Sequence, residues 1–273
     1  MIRLVFIDVD GTLHGPRGVP DCAWEAAREA RSRGLHLSLA TGRPSAGLSL
    51  DYARRLDPDG LHVFHQGALV ARADGTPEHA VRLPQTAYHR VVDLARAAAL
   101  PLEAYTAEGG IFVERRASDL EAHARLLGIA FETLDLQALF FRSSVIRVQW
   151  VVRPSEAWER ARARVDAELL ERLSWHTGTS PATPGVIYAS LLERSAGKLA
   201  AARWVAERMG VAMREVAMIG DGANDLELIR AAGVGIAMGN APDEVKRAAD
   251  RVVAPLEHCG LGEALETLWR ERS

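Results

Sequence analysis

The 273-residue sequence predicts an α/β fold, in which a doubly wound, mostly parallel core sheet is interrupted by an inserted α+β domain. Two observations lead to this fold class. At both ends of the chain, short apolar runs alternate with helical patterns, as in parallel sheets covered by helices on both faces. In the middle, strand-like and helix-like segments are grouped instead. We therefore predict a core domain at 1–83 and 185–273, with an inserted cap domain at 84–184.

Near the N-terminus, two apolar runs flank a helical pattern. The run Leu4–Ile7 is rich in β-formers and ends at polar residues, which is typical of a strand buried in a parallel sheet. Residues 36–40 form a second such run, and Asp21 can cap a helix between them that ends near Gly34. This order predicts a βαβ unit, and a third strand follows at Leu61–Phe64.

The same alternation resumes towards the C-terminus. Strands are predicted near 216–219, 234–237 and 251–253, and helices near 196–209, 224–232 and 242–249. The two ends of the chain should therefore build one Rossmann-like sheet. In the insert, strands are predicted near 102–106, 111–114 and 145–152, and helices near 86–98, 118–127 and 155–172.

Composition excludes several classes of function. Hydrophobic residues make up 48% of the chain and charged residues 25%, which is ordinary for a globular protein. The formal net charge of −3 gives no sign of a basic surface for nucleic acid or an anionic membrane. The two cysteines, Cys22 and Cys259, lack the spacing of a zinc site or disulfide framework, so we expect a reducing compartment and interpret both as packing residues. With an N-terminal apolar run too short for a signal peptide, we expect a cytoplasmic protein.

A pair of carboxylates follows the first predicted strand. Asp8 and Asp10 are two residues apart, and Gly11 can bend the chain beside them. A carboxylate can act as a phosphoryl acceptor, and a second one nearby can protonate the leaving oxygen and then activate water. Because ligands bind beyond the carboxyl ends of strands in open α/β sheets, we interpret Asp8 as a nucleophile and Asp10 as an acid/base.

Three further segments supply complementary chemistry. Thr41, Gly42 and Arg43 offer a hydroxyl and backbone N–H groups at a predicted helix start, which suits a phosphate. Lys198 is a cation that could neutralise charge on a phosphoryl group and on Asp8. The segment 220–225 follows another strand and contributes two carboxylates, Asp221 and Asp225, with oxygen atoms suited to Mg²⁺.

Each segment alone has an ordinary structural explanation. Asp-Gly-Thr is usually a turn, Thr-Gly-Arg a helix start, an isolated lysine a solvated residue, and Gly-Asp-Gly a loop. Four complementary pieces in a consistent order, three of them at strand ends, favour the functional interpretation. The histidines near the strand ends, at positions 14, 62 and 65, have no partners at ligand spacing, so we do not interpret them as metal ligands. Trp150 and Trp175 are interpreted as packing residues.

These segments resemble the motifs of the haloacid dehalogenase superfamily of phosphatases, and within it the Cof-type hydrolases. The similarity covers Phe6-Ile-Asp-Val-Asp-Gly-Thr-Leu13, Ala40-Thr-Gly-Arg-Pro44, Lys198, Ile219-Gly-Asp-Gly-Ala-Asn-Asp-Leu226 and Ala237-Met-Gly-Asn-Ala241. The resemblance implies a magnesium-dependent phosphatase that forms an aspartyl-phosphate. It also implies roles for individual residues: nucleophile Asp8; acid/base Asp10; phosphate or substrate contacts Thr41, Gly42, Arg43, Lys198 and Asn224; metal ligands Asp8, Asp10, Asp221 and Asp225.

The long gap between Arg43 and Lys198 resembles the one that holds the Cof-type α/β cap, which would be a moving lid that selects substrates. Gln66-Gly67-Ala68 departs from the family's usual Asn-Gly-Ala, and the segment before Lys198 is longer than usual. Neither departure removes a catalytic group. The expected partner is a small phosphorylated metabolite, either a sugar phosphate or a cofactor phosphate, while the oligomeric state is open.

Three other functions can be compared with hydrolysis. A phosphotransferase or mutase would pass the phosphoryl group from Asp8 to a second hydroxyl and exclude water. A regulatory protein phosphorylated on Asp8 would need neither Asp10 nor a large insert. A dehalogenase would leave Asp10, Asp221 and Asp225 without a task. Because Asp10 can activate water, the sequence favours hydrolysis.

Overall fold

The computed structural model describes residues 1–180 and 182–271. In chain order, its strands are β1 (Leu4–Ile7), β2 (His36–Leu39), β3 (Leu61–Phe64), β4 (Leu69–Arg72), β5 (Pro77–Ala80), β6 (Leu102–Thr106), β7 (Ile111–Val113), β8 (Glu132–Thr133), β9 (Val145–Val152), β10 (Leu173–Gly178), β11 (Ile187–Glu193), β12 (Val216–Gly220), β13 (Val234–Ala237) and β14 (Arg251–Val252). Its α-helices are α1 (Asp21–Ser32), α2 (Leu48–Leu56), α3 (Gln85–Ala98), α4 (Ser118–Leu127), α5 (Leu136–Leu139), α6 (Glu156–Arg162), α7 (Ala167–Arg172), α8 (Lys198–Arg208), α9 (Leu226–Ala231), α10 (Asp243–Ala248) and α11 (Gly260–Arg270). Short 3₁₀ turns occur at His65–Gly67, Met213–Glu215, Ala223–Asp225 and Leu256–His258.

The chain divides into two compact units. The core unit comprises Met1–Arg43, Leu50–Thr76 and the chain from Gly197 onward. The insert unit comprises Pro44–Ser49 and Pro77–Ala196. The insert that the sequence predicts at 84–184 lies within this second unit. Residue 181 of the predicted insert and residues 272 and 273 of the predicted second core segment fall outside the described residues.

The core unit is built on a parallel sheet with the strand order β14-β13-β12-β1-β2. Every neighbouring pair in this sheet is parallel, and β1 lies between β12 and β2 with Ile7 opposite both Ile219 and Leu39. The residues of β1 are all buried, since helices cover the sheet, as the unbroken apolar run predicts. The predicted α/β fold class with a parallel core sheet is therefore confirmed.

The insert unit has its own sheet with the order β10-β11-β9-β6-β7-β8, antiparallel except for the pair β7–β8. One face is apolar and packs Trp150 against Trp158 and Trp175, with ring centroids 5.7 Å apart in both pairs. The opposite side chains of β6 and β9 are polar and buried, including Glu103, Arg147 and Gln149. Trp150 and Trp175 are thus packing residues, as the sequence suggested.

Four features of the C-terminal half of the insert and of the chain end differ from the prediction. The helix predicted at 155–172 is two helices, α6 and α7, because Asp166 interrupts it and its carboxylate caps α7 by accepting from the Leu169 N–H (3.0 Å). Strands β10 and β11 and the final helix α11 were not predicted. In β10 the alternation of Leu173 and Trp175 with polar residues was a usable period-2 signal.

The interpretation of the cysteines as unpaired packing residues is wrong. Cys22 of α1 and Cys259, directly before α11, form a disulfide with their Cα atoms 6.3 Å apart. Because 237 residues separate them in sequence, spacing could not show that α1 and α11 pack against each other in the core unit. The cysteine count therefore gives no argument for a reducing compartment. Among the described residues, no helix is long and apolar enough to cross a membrane.

We predict that removing the disulfide lowers stability. Replacing Cys22 and Cys259 by serine should lower the free energy of unfolding by about 2–4 kcal/mol, because the cross-link restricts the unfolded chain over a long loop. Urea unfolding of the oxidised protein and the double variant measures this difference. Reductant should lower the unfolding midpoint of the unmodified protein and leave that of the double variant unchanged. Two titratable thiols in the native protein, prepared without reductant, would contradict the prediction.

Candidate active site

The predicted nucleophile lies directly after the central strand of the core sheet. Asp8 follows β1, and its backbone N–H donates to the carbonyl of Ile219 on β12 (3.0 Å), which fixes the chain where the two strands end. Its carboxylate is buried beside Lys198, the first residue of α8. The sheet and this helix together therefore determine where the Asp8 carboxylate lies.

Lys198 is the centre of a buried ion-pair cluster. Its Nζ atom lies 2.6 Å from Oδ1 of Asp8 and 2.6 Å from Oδ1 of Asp225. The exposed fractions of Asp8, Lys198 and Asp225 are 6%, 4% and 0%, so water screens this cluster weakly. Three segments that are remote in sequence are thus joined through one ammonium group.

A third carboxylate, that of Asp221, completes the acidic group. Its Oδ1 accepts from the Thr12 hydroxyl (3.2 Å) and its Oδ2 from Nδ2 of Asn240 (3.2 Å). Asp225 is oriented by the backbone N–H of Gly222, which donates to its Oδ2 (3.0 Å). Oxygen atoms of Asp8, Asp221 and Asp225 all lie within 4.8 Å of one another, so the three could hold a metal ion.

The electrostatics of the cluster favour a further cation. Burial raises the pKa of Asp8 to about 8 against the opposing charge of Lys198, and the charge of Asp225 raises it further. Burial also raises the pKa of Asp221 to about 6, again with a contribution from Asp225. Burial alone would lower the pKa of Lys198, but Asp225 and Asp8 together raise it, so the ammonium stays charged. One lysine thus faces three carboxylates, and a divalent ion of the kind that prefers oxygen ligands fits this donor set.

The predicted phosphate seat lies in the loop after β2. Thr41 is buried, its backbone N–H donates to the carbonyl of Val63 (3.0 Å), and its Oγ1 accepts from the Arg43 N–H (3.1 Å). Gly42 lies next to the side-chain amide of Gln66. Gln66 also accepts from Nδ2 of Asn224 (3.1 Å). Gln66 therefore connects the Thr41–Arg43 loop to the loop after β12.

Asp10 and Arg43 are placed differently from the other predicted site residues. The Asp10 carboxylate is not one of the three that form the acidic group. Arg43 donates from Nε to Asp10 Oδ2 (3.0 Å) and from Nη2 to Asp10 Oδ1 (2.6 Å), which is a two-point ion pair. The structure thus brings Asp8, Asp221, Asp225 and Lys198 together and pairs the two remaining charged residues with each other.

His62, one of the histidines near the strand ends, has a structural role. His62 is fully buried; its Nδ1 accepts from the Leu39 N–H (3.1 Å), and its Nε2 lies 2.8 Å from the carbonyl of Asp57. Burial lowers the pKa of His62 to about 4, so the ring is neutral and donates through Nε2. No histidine belongs to a metal-binding group within the described ranges.

Three supporting residues received no role from sequence reasoning. Thr12 and Asn240 hold Asp221, and Asn240 also donates to the carbonyl of Gly11 (2.9 Å). Gln66 was noticed only as a departure from a family pattern. All three lie within or beside recognised motifs, which was the available signal, but their partners are more than 150 residues away along the chain or, for Asn240, on another loop.

Comparison with known proteins identifies the class. Residues 5–265 match the family model of haloacid dehalogenase-like hydrolases, so the chain belongs to this family, as the motifs suggested. A relative from Streptococcus pyogenes, whose name suggests a phosphatase, is 26% identical over 97% of both chains. A phosphoglycolate phosphatase of Methanopyrus kandleri is 28% identical over 99% of this chain and 97% of its own.

Solved structures agree with this family assignment. A phosphatase of the same superfamily from Bacteroides thetaiotaomicron is 26% identical, with a TM-score of 0.78 over 98% of this chain and 95% of its own. A haloacid dehalogenase-like hydrolase from the same organism has a TM-score of 0.84 at 24% identity, over 98% of this chain and all of its own, which shows the shared fold. The prediction of an enzyme of the phosphatase class is confirmed.

The approach of Gly67 to the start of α8 gives a testable constraint. Gly67 has φ +97°, and a Cβ atom placed on it would lie 2.2 Å from the carbonyl oxygen of Gly197. We expect Gly67→Ala to displace the N-terminus of α8, and with it Lys198, and so to lower both activity and the unfolding midpoint.

Gly18→Ala is the matched control, since Gly18 has φ +87° but nothing within 4 Å of the added atom. It should cost only the backbone strain of about 1–2 kcal/mol that an L-residue has in this conformation. Equal losses in the two variants, measured by thermal unfolding and turnover, would show that the close approach of Gly67 has no importance.

Proposed function

We propose that the protein is a magnesium-dependent phosphatase that hydrolyses a small phosphorylated metabolite through an aspartyl-phosphate on Asp8. The observation that carries this proposal is the Lys198 ammonium, 2.6 Å from the Asp8 carboxylate at the end of the central strand. A carboxylate so placed, with a fixed cation beside it, is arranged for attack on a phosphorus atom that carries negative oxygens.

The reaction proceeds in two steps. A carboxylate oxygen of Asp8 bonds to phosphorus while the bond from phosphorus to the ester oxygen breaks, and Asp10 gives the leaving oxygen a proton. A water molecule then attacks the phosphorus, Asp10 takes its proton, and the bond to Asp8 breaks. Inorganic phosphate leaves, and both carboxylates return to their starting state.

The remaining site residues bind and neutralise the phosphoryl group. The Thr41 hydroxyl and the backbone around Gly42 would seat its oxygens, with Asn224 as a further candidate contact; the family resemblance gives Arg43 the same role. Asp8, Asp221 and Asp225 would hold Mg²⁺, and the family resemblance adds Asp10 to the same ion. When bound, the ion offsets the repulsion between the carboxylates and the phosphate dianion. Lys198 neutralises charge on Asp8 and on the phosphoryl group.

The first test uses the nucleophile and the metal. Asp8→Asn should abolish release of phosphate from 4-nitrophenyl phosphate, while Asp10→Asn should lower the turnover of an alkyl ester such as glycerol 2-phosphate by about 10²–10⁴, the range for loss of an acid/base. Chelation with EDTA should remove activity and added Mg²⁺ should restore it. Correct folding of each variant is checked by circular dichroism. An Asp8→Asn variant with full phosphatase activity would refute the mechanism.

Substrate choice is proposed to lie in the insert unit, which contains the cap domain that the sequence predicts at 84–184. None of the motif residues is in this segment, yet its sheet carries a buried polar network. Glu103 accepts from Nε2 of Gln149 (3.0 Å), Ser190 donates to Oε1 of Gln149 (2.8 Å), and the Arg147 guanidinium lies 4.9 Å from the Tyr105 ring centroid. Sugar phosphates and cofactor phosphates are the candidate substrates, and the name of the Methanopyrus kandleri relative adds phosphoglycolate to them.

We expect Arg147→Gln to change the ranking of phosphorylated metabolites while retaining hydrolysis of 4-nitrophenyl phosphate. Arg153→Gln is the matched control, because Arg153 directly follows the same strand but is exposed and paired with Asp119 (2.9 Å). Phosphate release from a panel of phosphate esters, with purified proteins of equal stability, measures the ranking. An unchanged ranking in Arg147→Gln would exclude this residue from substrate selection.

A further inference from the structure

The guanidinium of Arg43 is held on several sides within the core unit. Nη2 lies 3.3 Å from Nδ1 of His14, and the guanidinium carbon is 5.9 Å from the ring centroid of Tyr52. Its backbone is also fixed, since the N–H donates to Oγ1 of Thr41 (3.1 Å) and the carbonyl accepts from the His65 N–H (3.0 Å). The side chain is only 14% exposed. Arg43 is thus a well-anchored cation.

Asp10, the ion-pair partner of Arg43, is by contrast largely exposed. The side chain of Asp10 is 63% exposed and lies on the loop after β1. An exposed carboxylate without a fixed partner can populate several rotamers, and only some of them would bring it within hydrogen-bond reach of a leaving oxygen. The two-point contact from Nε and Nη2 of Arg43 restricts both oxygens of Asp10 at once.

We propose that Arg43 is a positioning residue, which orients the acid/base carboxylate of Asp10, and is not a ligand of the substrate's phosphate. This proposal rests on the phosphatase function above and revises the role that the motif resemblance gave to Arg43. The donors that Arg43 turns towards Asp10 are already used, and Nη2 also faces His14. A phosphate bound to the same edge of the guanidinium would have to displace Asp10.

The two roles differ in how the loss depends on the leaving group. A nitrophenolate leaves readily without a proton, whereas an alkoxide needs one from Asp10. Loss of an oriented acid therefore harms alkyl esters selectively. Loss of a phosphate ligand harms every ester alike, because the phosphoryl group is the same in all of them.

The experiment compares kcat/KM, which reports steps up to the first irreversible one, for 4-nitrophenyl phosphate and glycerol 2-phosphate in the magnesium-loaded protein. Arg43→Gln should lower kcat/KM for the alkyl ester by about 10–100-fold, part of the effect of the acid itself, and by less than about 3-fold for the nitrophenyl ester. Asp10→Asn should show the same selectivity more strongly. The double variant should be no worse than Asp10→Asn alone, because the two residues act as one unit.

Arg43→Lys separates charge from geometry, since lysine keeps the charge but loses the planar fork. It should resemble Arg43→Gln. Equal losses on both esters, or additive effects in the double variant, would overturn the proposal in favour of a phosphate ligand or a general structural role.

A crystal structure of Arg43→Gln gives a readout that does not depend on activity. The carboxylate of Asp10 should leave its present orientation or occupy more than one. If it kept the same single orientation, Arg43 would not be positioning it, whatever the kinetics. Absence of Asp8-dependent activity in the unmodified protein would instead refute the phosphatase proposal, so the two failures are distinguishable.

Discussion

The buried ion pair of Lys198 with Asp8 and Asp225 is the interaction on which the site depends. Its three members come from the end of β1, the start of α8 and the turn after β12. They meet only because β1 and β12 are neighbours in the parallel sheet and α8 begins at the same edge. A buried charge without its partner is costly, so removing any one of the three would leave the others in an unfavourable environment. The fold and the chemistry are therefore coupled at this point.

This coupling explains why the cluster contributes to function more than to stability. Replacing a buried ion pair by apolar residues is often neutral or stabilising, so three carboxylates around one lysine are a poor way to hold a protein together. The raised pKa values of Asp8 and Asp221 express the same cost. What the arrangement provides is a fixed polar environment, already organised before a phosphoryl group and a cation arrive. The surrounding parallel sheet supplies the apolar packing that tolerates it.

Much of the core could be read from the sequence because its signals are local. The strands Leu4–Ile7, Leu61–Phe64 and Val234–Ala237 have the predicted bounds, since each is a short apolar run between polar or turn residues. Three of the four motifs lie at strand ends for the same reason. Pairings between distant segments carried no such signal, which is why the disulfide between Cys22 and Cys259 was missed.

The site shows the same division between local and long-range information. Residue types at strand ends indicated which groups could do chemistry, but not which of them would pair. The resemblance grouped Asp10 with the metal-binding residues, but no local pattern showed that its carboxylate is also bound by Arg43, 33 residues away. Likewise, Asn240 was part of a recognised stretch, yet its hydrogen bond to Asp221 depends on how two loops approach each other. Side-chain partners of this kind are fixed by tertiary packing, which no local pattern encodes.

The different environments of Asp8 and Asp10 follow from one turn. After Val9, which is buried, the chain reverses at Gly11 with φ +87°, and the Gly11 N–H donates to the carbonyl of His14 (2.9 Å). A Cβ atom at Gly11 would lie 2.0 Å from Oδ2 of Asp221, so only glycine lets this loop approach that carboxylate. The turn thus keeps Asp8 inside the cluster while it sends Asp10 to the surface two residues later. A nucleophile benefits from a dry, fixed environment, whereas an acid/base must exchange protons with the leaving group and water, and only Val9 stands between the two residues.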